Sequence, residues 1–222
     1  LNGYLEYRQP TGNAAGNIFA RLAKLNLAPS AKAEVEELLQ QPQSMPALDI
    51  EVNEFVLAGR NLGTVAIQAQ NQNKPGQPRE WLLTKLNLAV PEARFNAIGR
   101  WAISPGSCTG SARRTSLQIE LDVRDAGALL TRFGQVGTVS GGEGTIRGSL
   151  GWGGSPMSLD YGSLSGQLNI NVRNGQFLKV DPGAAKLLSV LSLQSLPRRL
   201  VLDFRDVFSE GFAFDFLRGD AT

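Results

Sequence analysis

Apolar and polar residues alternate along much of this sequence, and that pattern narrows its possible folds more than any other feature. Leu117, Ile119, Leu121 and Val123 alternate with Gln118, Glu120, Asp122 and Arg124. In an extended chain successive side chains leave opposite faces, so such a stretch is a strand with one apolar face and one wet face. The same reading holds for Leu48, Ile50 and Val52 against Asp49, Glu51 and Asn53, and for Leu168, Ile170 and Val172 against Asn169, Asn171 and Arg173. Leu200, Leu202 and Phe204 alternate with Val201, Asp203 and Arg205, and Phe212, Phe214 and Phe216 close the series on the same greasy face. Weaker strand candidates span 2–9, 17–27, 64–70, 81–90, 94–103, 143–152 and 176–180. Roughly a dozen strands require a barrel, a sandwich or a long curved sheet.

Composition agrees with a folded β protein. With 222 residues the chain can bury a sizeable core, as one large all-β domain or as two small ones. It is 42% hydrophobic and 19% charged, too apolar for a disordered chain, and its 25 glycines and 11 prolines supply turns. The 22 basic and 20 acidic residues are interleaved to a net +2, so no broad positive field exists to attract nucleic acid. No apolar run approaches the roughly 20 residues that cross a bilayer. The start, Leu1-Asn2-Gly3-Tyr4-Leu5-Glu6-Tyr7, lacks the regions of a signal peptide. The chain therefore reads as a fragment of something longer, with an open sheet edge expected after Phe216.

Three helices are expected between the strands. Ser30 caps 31–40 with Val35, Leu38 and Leu39 as its stripe, and Asp125 caps 126–133 with Leu129, Leu130 and Phe133 on one side. Asp181 followed by Pro182 starts the third, 184–194, which Pro197 stops.

Catalytic constellations are sparse. Gly106-Ser107-Cys108-Thr109-Gly110 has the small-residue outline of a nucleophile elbow, but the chain has no histidine to serve as its base, and Cys108 reads as a loop cysteine. With no histidine and one cysteine, the common zinc sets cannot form either. Asp203, Asp206, Glu210 and Asp215 are candidates for paired carboxylates or calcium, yet their alternation with large apolar residues and the presence of Arg205 favour a solvated, ion-paired face. Gly141-Gly142-Glu143-Gly144 matches no phosphate-loop spacing and reads as a bulge or close packing. Trp81, Trp101 and Trp152 could stack on sugars or sit at a membrane interface, but their strand context favours core or rim packing.

The second half carries a more specific signal. It runs through Gly127-Ala128-Leu129-Leu130, Arg132-Phe133-Gly134 and Gly148-Ser149-Leu150-Gly151-Trp152. It then continues from Asn174-Gly175-Gln176-Phe177-Leu178-Lys179-Val180-Asp181-Pro182 to Asp203-Phe204-Arg205-Asp206-Val207-Phe208-Ser209-Glu210-Gly211-Phe212-Ala213-Phe214-Asp215. This resembles the C-terminal AsmA-like region of the YhdP branch, densely over 125–220 and by pattern alone before that. The resemblance implies a mainly β fold, an elongated, strongly curved antiparallel sheet whose inner face forms an open, taco-like groove, with a few short helices. It also implies a periplasmic location, tethered to the inner membrane by a transmembrane helix outside this chain. The implied role is a non-enzymatic conduit carrying phospholipid between inner and outer membranes, contributing to the permeability barrier, with no cofactor or metal.

The residues by themselves point the same way. A strongly one-sided sheet must cover its apolar face with helices, a second sheet or ligand, and three short helices are few for that task. The candidate acyl-contacting residues are Leu117, Ile119, Leu121, Leu168, Ile170, Val172, Leu200, Leu202 and Phe204. Expected partners are phospholipid or another acyl-chain lipid and the flanking segments of the same longer chain. The alternative is an envelope-assembly scaffold acting through open sheet edges. A third reading is a glycan-binding or glycan-processing protein that uses the tryptophans and the acidic cluster.

Overall fold

The computed structural model describes residues 2–11, 15–27, 45–57, 59–72, 79–104, 113–156, 158–178 and 212–221. Its strands are β1 (Asn2–Arg8), β2 (Asn17–Leu27), β3 (Ala47–Leu57), the two-residue β4 (Arg60–Asn61), β5 (Thr64–Gln72) and β6 (Glu80–Val90). They continue with β7 (Ala93–Ile103), β8 (Arg113–Val123), β9 (Val139–Gly153), β10 (Ser165–Phe177) and β11 (Phe212–Ala221). The one helix among the described residues is α1 (Ala126–Arg132). The expected helices at 31–40 and 184–194 lie outside the described residues, as do Cys108 and Leu200, Leu202 and Phe204.

All strands join one sheet in the order β1-β2-β3-β5-β6-β7-β8-β9-β10-β11, with β4 paired to β3. Spatial order follows chain order, and the first and last strands do not meet, so the sheet is open. The fold class is as expected, with one difference. β2 and β3 run parallel, in a register from Asn17↔Ala47 to Leu27↔Leu57, where the resemblance had implied an antiparallel sheet. Periodicity records which side chains share a face and says nothing of strand direction.

The strand candidates at 168–173 and 176–180 prove to be a single strand through Phe177, with Asn174 at φ 55 inside it. Asparagine tolerates that left-handed conformation better than other residues with a β-carbon. Gly141 and Gly142 also have positive φ, 62 and 87, in keeping with the expected bulge rather than a phosphate loop.

The chain divides into two compact units, one of 1–90, 94–120 and 148–166 and the other of 91–93, 121–147 and 167–222. The first unit holds two apolar clusters. One gathers Met45, Leu48, Ala69, Trp81, Leu83 and Trp101; the other gathers Ala20, Leu22, Val52 and Val65. Each fully buried aliphatic side chain contributes about 1.5–3 kcal/mol, so these clusters outweigh the exposed ion pairs of the sheet.

In the second unit α1 is too short to persist alone, and it is held at both ends. Asp125 caps it as expected, accepting from Ala128 N at 2.9 Å. The same residue, Glu92, anchors both ends. Its backbone oxygen accepts from Arg124 N at 2.8 Å before the helix, and its carboxylate accepts from Arg132 Nε at 3.0 Å and Nη2 at 2.6 Å at the helix end. Glu92 and Arg132 side chains are 17% and 25% exposed, so the pair is only weakly screened. Hydrogen bonds from Arg132 hold the Glu92 carboxyl below its ordinary range, and the same bonds raise Arg132.

Asp125→Ala is expected to lower the unfolding free energy by about 1 kcal/mol, read by urea denaturation. Glu92→Gln is expected to cost about 1–3 kcal/mol at neutral pH. Because the folded carboxyl is depressed, its contribution is full above the unfolded value near pH ~4.3 and is lost as pH falls through the lower folded value. The gap in urea midpoint between the native chain and Glu92→Gln should therefore stay constant from neutral to weakly acidic pH and close on further acidification.

Candidate functional site

The apolar face of the first unit is built row by row across the strands. Ile18 pairs with Leu48, Leu48 with Ala69, and Ala69 with Leu83. Ala20, Ile50, Ile67 and Leu86 form the next row, and Leu22, Val52, Val65 and Leu88 the one after. Directly opposed residues point the same way, so each row is a continuous apolar band.

Strand β6 could have broken these bands, because Trp81 and Leu83 are odd-numbered while Leu86 and Leu88 are even. A bulge resolves the conflict. Gln68 pairs with Lys85 and Ala69 with Leu83, leaving Thr84 as the extra residue, and Thr84 Oγ1 donates to Gln68 O at 3.1 Å. One inserted residue flips the parity and brings both halves of β6 onto one face.

The opposite face is ionic. Arg21 meets Asp49 at 2.8 Å and Glu51 at 3.4 Å, and Lys24 meets Glu54 at 2.7 Å. Such exposed pairs add at most about 1 kcal/mol each. Their effect is to keep that face wet.

Burial within the apolar face is uneven. Ala20, Val52 and Trp81 are fully covered, while Ile18, Ile50, Ile67, Leu86 and Leu88 are half-buried against them. Of the expected contact residues, Leu117 packs against the cluster that contains Trp81 and Trp101, and Ile119 is half-buried. In the second unit Leu121, Leu168, Ile170 and Val172 are all half-buried. A β-carbon built on Gly142 would lie 3.1 Å from Ala126 Cβ and 3.6 Å from Val172 Cγ1, so α1 begins to cover the Val172 end of that stripe. The band through Ala20, Ile50 and Ile67 was missed as a candidate surface, although its alternation is present in 17–27, 48–53 and 64–70.

The phenylalanine series departs from expectation. In the β10–β11 register Arg173 opposes Phe216 and Gly175 opposes Phe214, whereas Leu168, Ile170 and Val172 oppose Ala221, Gly219 and Leu217. The phenylalanines thus share a face with Asn169, Asn171 and Arg173, opposite the Leu168–Val172 stripe. Phe214 is buried there because Gly175 leaves room for its ring, which sits 5.1 Å from that of Phe177, while Phe216 is 67% exposed. Pairing sets the sidedness of a strand, and alternation within one strand cannot.

Trp81, Trp101 and Trp152 are 3%, 5% and 4% exposed, which places all of them in the core rather than in a sugar-stacking groove. Asp215 is exposed on β11, while Asp203, Asp206 and Glu210 lie outside the described residues. Among the described residues no group of three or more His, Cys, Asp or Glu side chains could hold a metal ion. No described helix is long and apolar enough to cross a membrane.

The family model described as YhdP protein matches residues 1–222. The chain belongs to the YhdP family. Over 130 residues it is 32% identical to the intermembrane phospholipid transporter YhdP of Escherichia coli (strain K12), an alignment that covers 58% of this chain and 10% of that relative. The chain thus spans about a tenth of the relative's length. No solved structure matches it. Membership of the YhdP family accords with the resemblance carried by 125–220 and extends it to the N-terminal half.

Two of the core tryptophans differ in one atom's fate. Trp81 Nε1 donates to Pro46 O at 2.9 Å, whereas Trp101 Nε1 is buried with no partner among the described residues. Trp81→Phe is therefore expected to destabilise more than Trp101→Phe, by about 1 kcal/mol in urea denaturation, since only the first loses a hydrogen bond and orphans a carbonyl.

Proposed function

We propose that this chain is one stretch of a periplasmic conduit that carries phospholipid between the inner and outer membranes and so supports the outer-membrane permeability barrier, without catalysing a reaction. The observation that carries the reading is the set of half-buried aliphatic bands on one face of an open sheet whose other face is ionic. Acyl chains laid on such bands gain about 0.8 kcal/mol per buried CH₂, with no need for a specific polar contact. The name of the Escherichia coli relative supports phospholipid as the cargo. The inner-membrane tether belongs, in this reading, to a part of the longer protein outside this chain.

The conduit is continued by flanking segments of the same longer protein. Among the described residues β1 and β11 each have a sheet neighbour on one side only, so each offers a row of backbone donors and acceptors to a further strand. The same edges favour a second reading, a scaffold that recruits envelope partners by strand addition. The two differ in whether the apolar face holds lipid.

Native mass spectrometry of the chain purified without detergent, followed by lipid extraction, separates them. The conduit reading expects co-purifying phospholipid, reduced severalfold in Ile170→Asp or Ile67→Asp variants whose circular dichroism remains native. A clean apo mass with no uptake of added phospholipid would remove the conduit reading and leave the scaffold.

A further inference from the structure

Strand β8 carries an arginine on its apolar face. Arg113, Thr115, Leu117 and Ile119 are alternate residues of one strand and so share a side. The contacts agree with that placement. The Arg113 guanidinium lies over the Trp101 ring, 4.5 Å from its centroid, Leu117 packs against the cluster containing Trp101, and Thr115 is completely buried, donating to Gly154 O at 2.9 Å. Arg114, one residue on, bonds Ser165 Oγ and belongs to the opposite side.

An arginine on this side faces a cost that ion-paired basic residues avoid. Arg21, Lys24 and Arg132 all meet carboxylates. Arg113 is half-buried, its one hydrogen bond among the described residues goes from Nη1 to the neutral backbone oxygen of Arg79 at 3.2 Å, and no described carboxylate meets it. Its charged neighbour is of like sign, because Arg79 stands at the same end of the sheet. Burial first, and the Arg79 charge second, both weaken its hold on its proton. Stacking on Trp101 offsets only part of that cost. The indole Nε1 of Trp101 is a buried donor with no partner among the described residues. A half-buried cation that meets one neutral oxygen and no described carboxylate makes a site suited to an anion.

The arrangement along the strand sets the class of anion. Leu117 begins roughly 13 Å from Arg113 at about 3.3 Å of rise per residue, so charge and grease follow one another along a single stripe. We propose that the guanidinium of Arg113, backed by the positive charge of Arg79, receives the phosphate of a phospholipid whose acyl chains lie along the Leu117 and Ile119 stripe. This assignment rests on the conduit reading and adds to it a fixed headgroup position and polarity for the cargo. A planar guanidinium suits a phosphate diester, which it can meet with two parallel hydrogen bonds.

The test incubates the 222-residue chain with vesicles containing either phosphatidylglycerol or diacylglycerol of the same chains and counts bound lipid by native mass spectrometry. Arg113→Gln is expected to weaken phosphatidylglycerol binding by about tenfold or more while leaving diacylglycerol binding unchanged. Arg113→Lys, which keeps the charge but not the fork, should fall between, and Arg114→Gln should match the native chain for both lipids. Excess inorganic phosphate should not displace the phospholipid, because phosphate alone gains nothing from the apolar stripe. Unchanged phosphatidylglycerol binding in Arg113→Gln would overturn the headgroup site while leaving the conduit reading standing. An equal loss for both lipids would overturn it too, assigning Arg113 a structural role. Displacement by inorganic phosphate would give the site to the free anion instead. Failure of the native chain to bind either lipid would remove the conduit reading and this inference together.

Discussion

The sidedness of a single open sheet is the constraint from which the rest of this structure follows. Each strand sends alternate side chains to opposite faces, so a chain with strict alternation commits one face to apolar residues and the other to water. In a barrel closure buries one face, and in a sandwich a second sheet covers it. Here the first and last strands do not meet. Burial along the apolar face is accordingly graded, complete at Ala20, Val52 and Trp81 and partial at Ile50, Ile67 and Ile170. In the proposed conduit, that partly covered band is the surface offered to apolar cargo.

Keeping that face continuous over many strands demands local corrections. A register slip of one residue would turn a strand inside out, and β6 carries such a parity change within its own sequence. The bulge at Thr84 absorbs it, so that Trp81 and Leu83 remain with Leu86 and Leu88. At β11 the chain shows what happens without such a correction. Its phenylalanines fall on the side of Asn169 and Arg173, and the sheet accommodates one of them by placing Gly175 beneath Phe214. Helix α1 is another local solution, a short element held by Glu92 at both ends.

Most of the strands were legible in the sequence because alternation is a property of neighbours. The β8 stripe and the Asp125 cap both came through for that reason. The parallel β2–β3 pair, the bulge in β6 and the face occupied by Phe214 were not legible, because each depends on which residue lies across the strand boundary. The candidate surface follows the same division. Leu117, Ile119, Leu168, Ile170 and Val172 could be named from one strand at a time, whereas the band through Ala20, Ile50 and Ile67 becomes a surface only after the register aligns three strands. A charge preceding an apolar run reads as a strand end, so the place of Arg113 on the apolar side becomes plain only once β8 is seen to include it and its guanidinium to stack on Trp101.

A surface of this kind explains why the chain has so little motif chemistry. Catalysis requires a few groups at fixed distances, and those groups leave a spacing that can be searched for. Binding by apolar area is distributed over many side chains, each replaceable by another of similar size, so its signature is the uninterrupted row. Conservative exchanges such as Ile to Leu along a band alter little, whereas one charge within it cuts the row. That asymmetry gives meaning to a charge that the fold does tolerate on the apolar side. Arg113 stands at the end of β8. There it bounds the band without interrupting it, as a headgroup bounds its acyl chains.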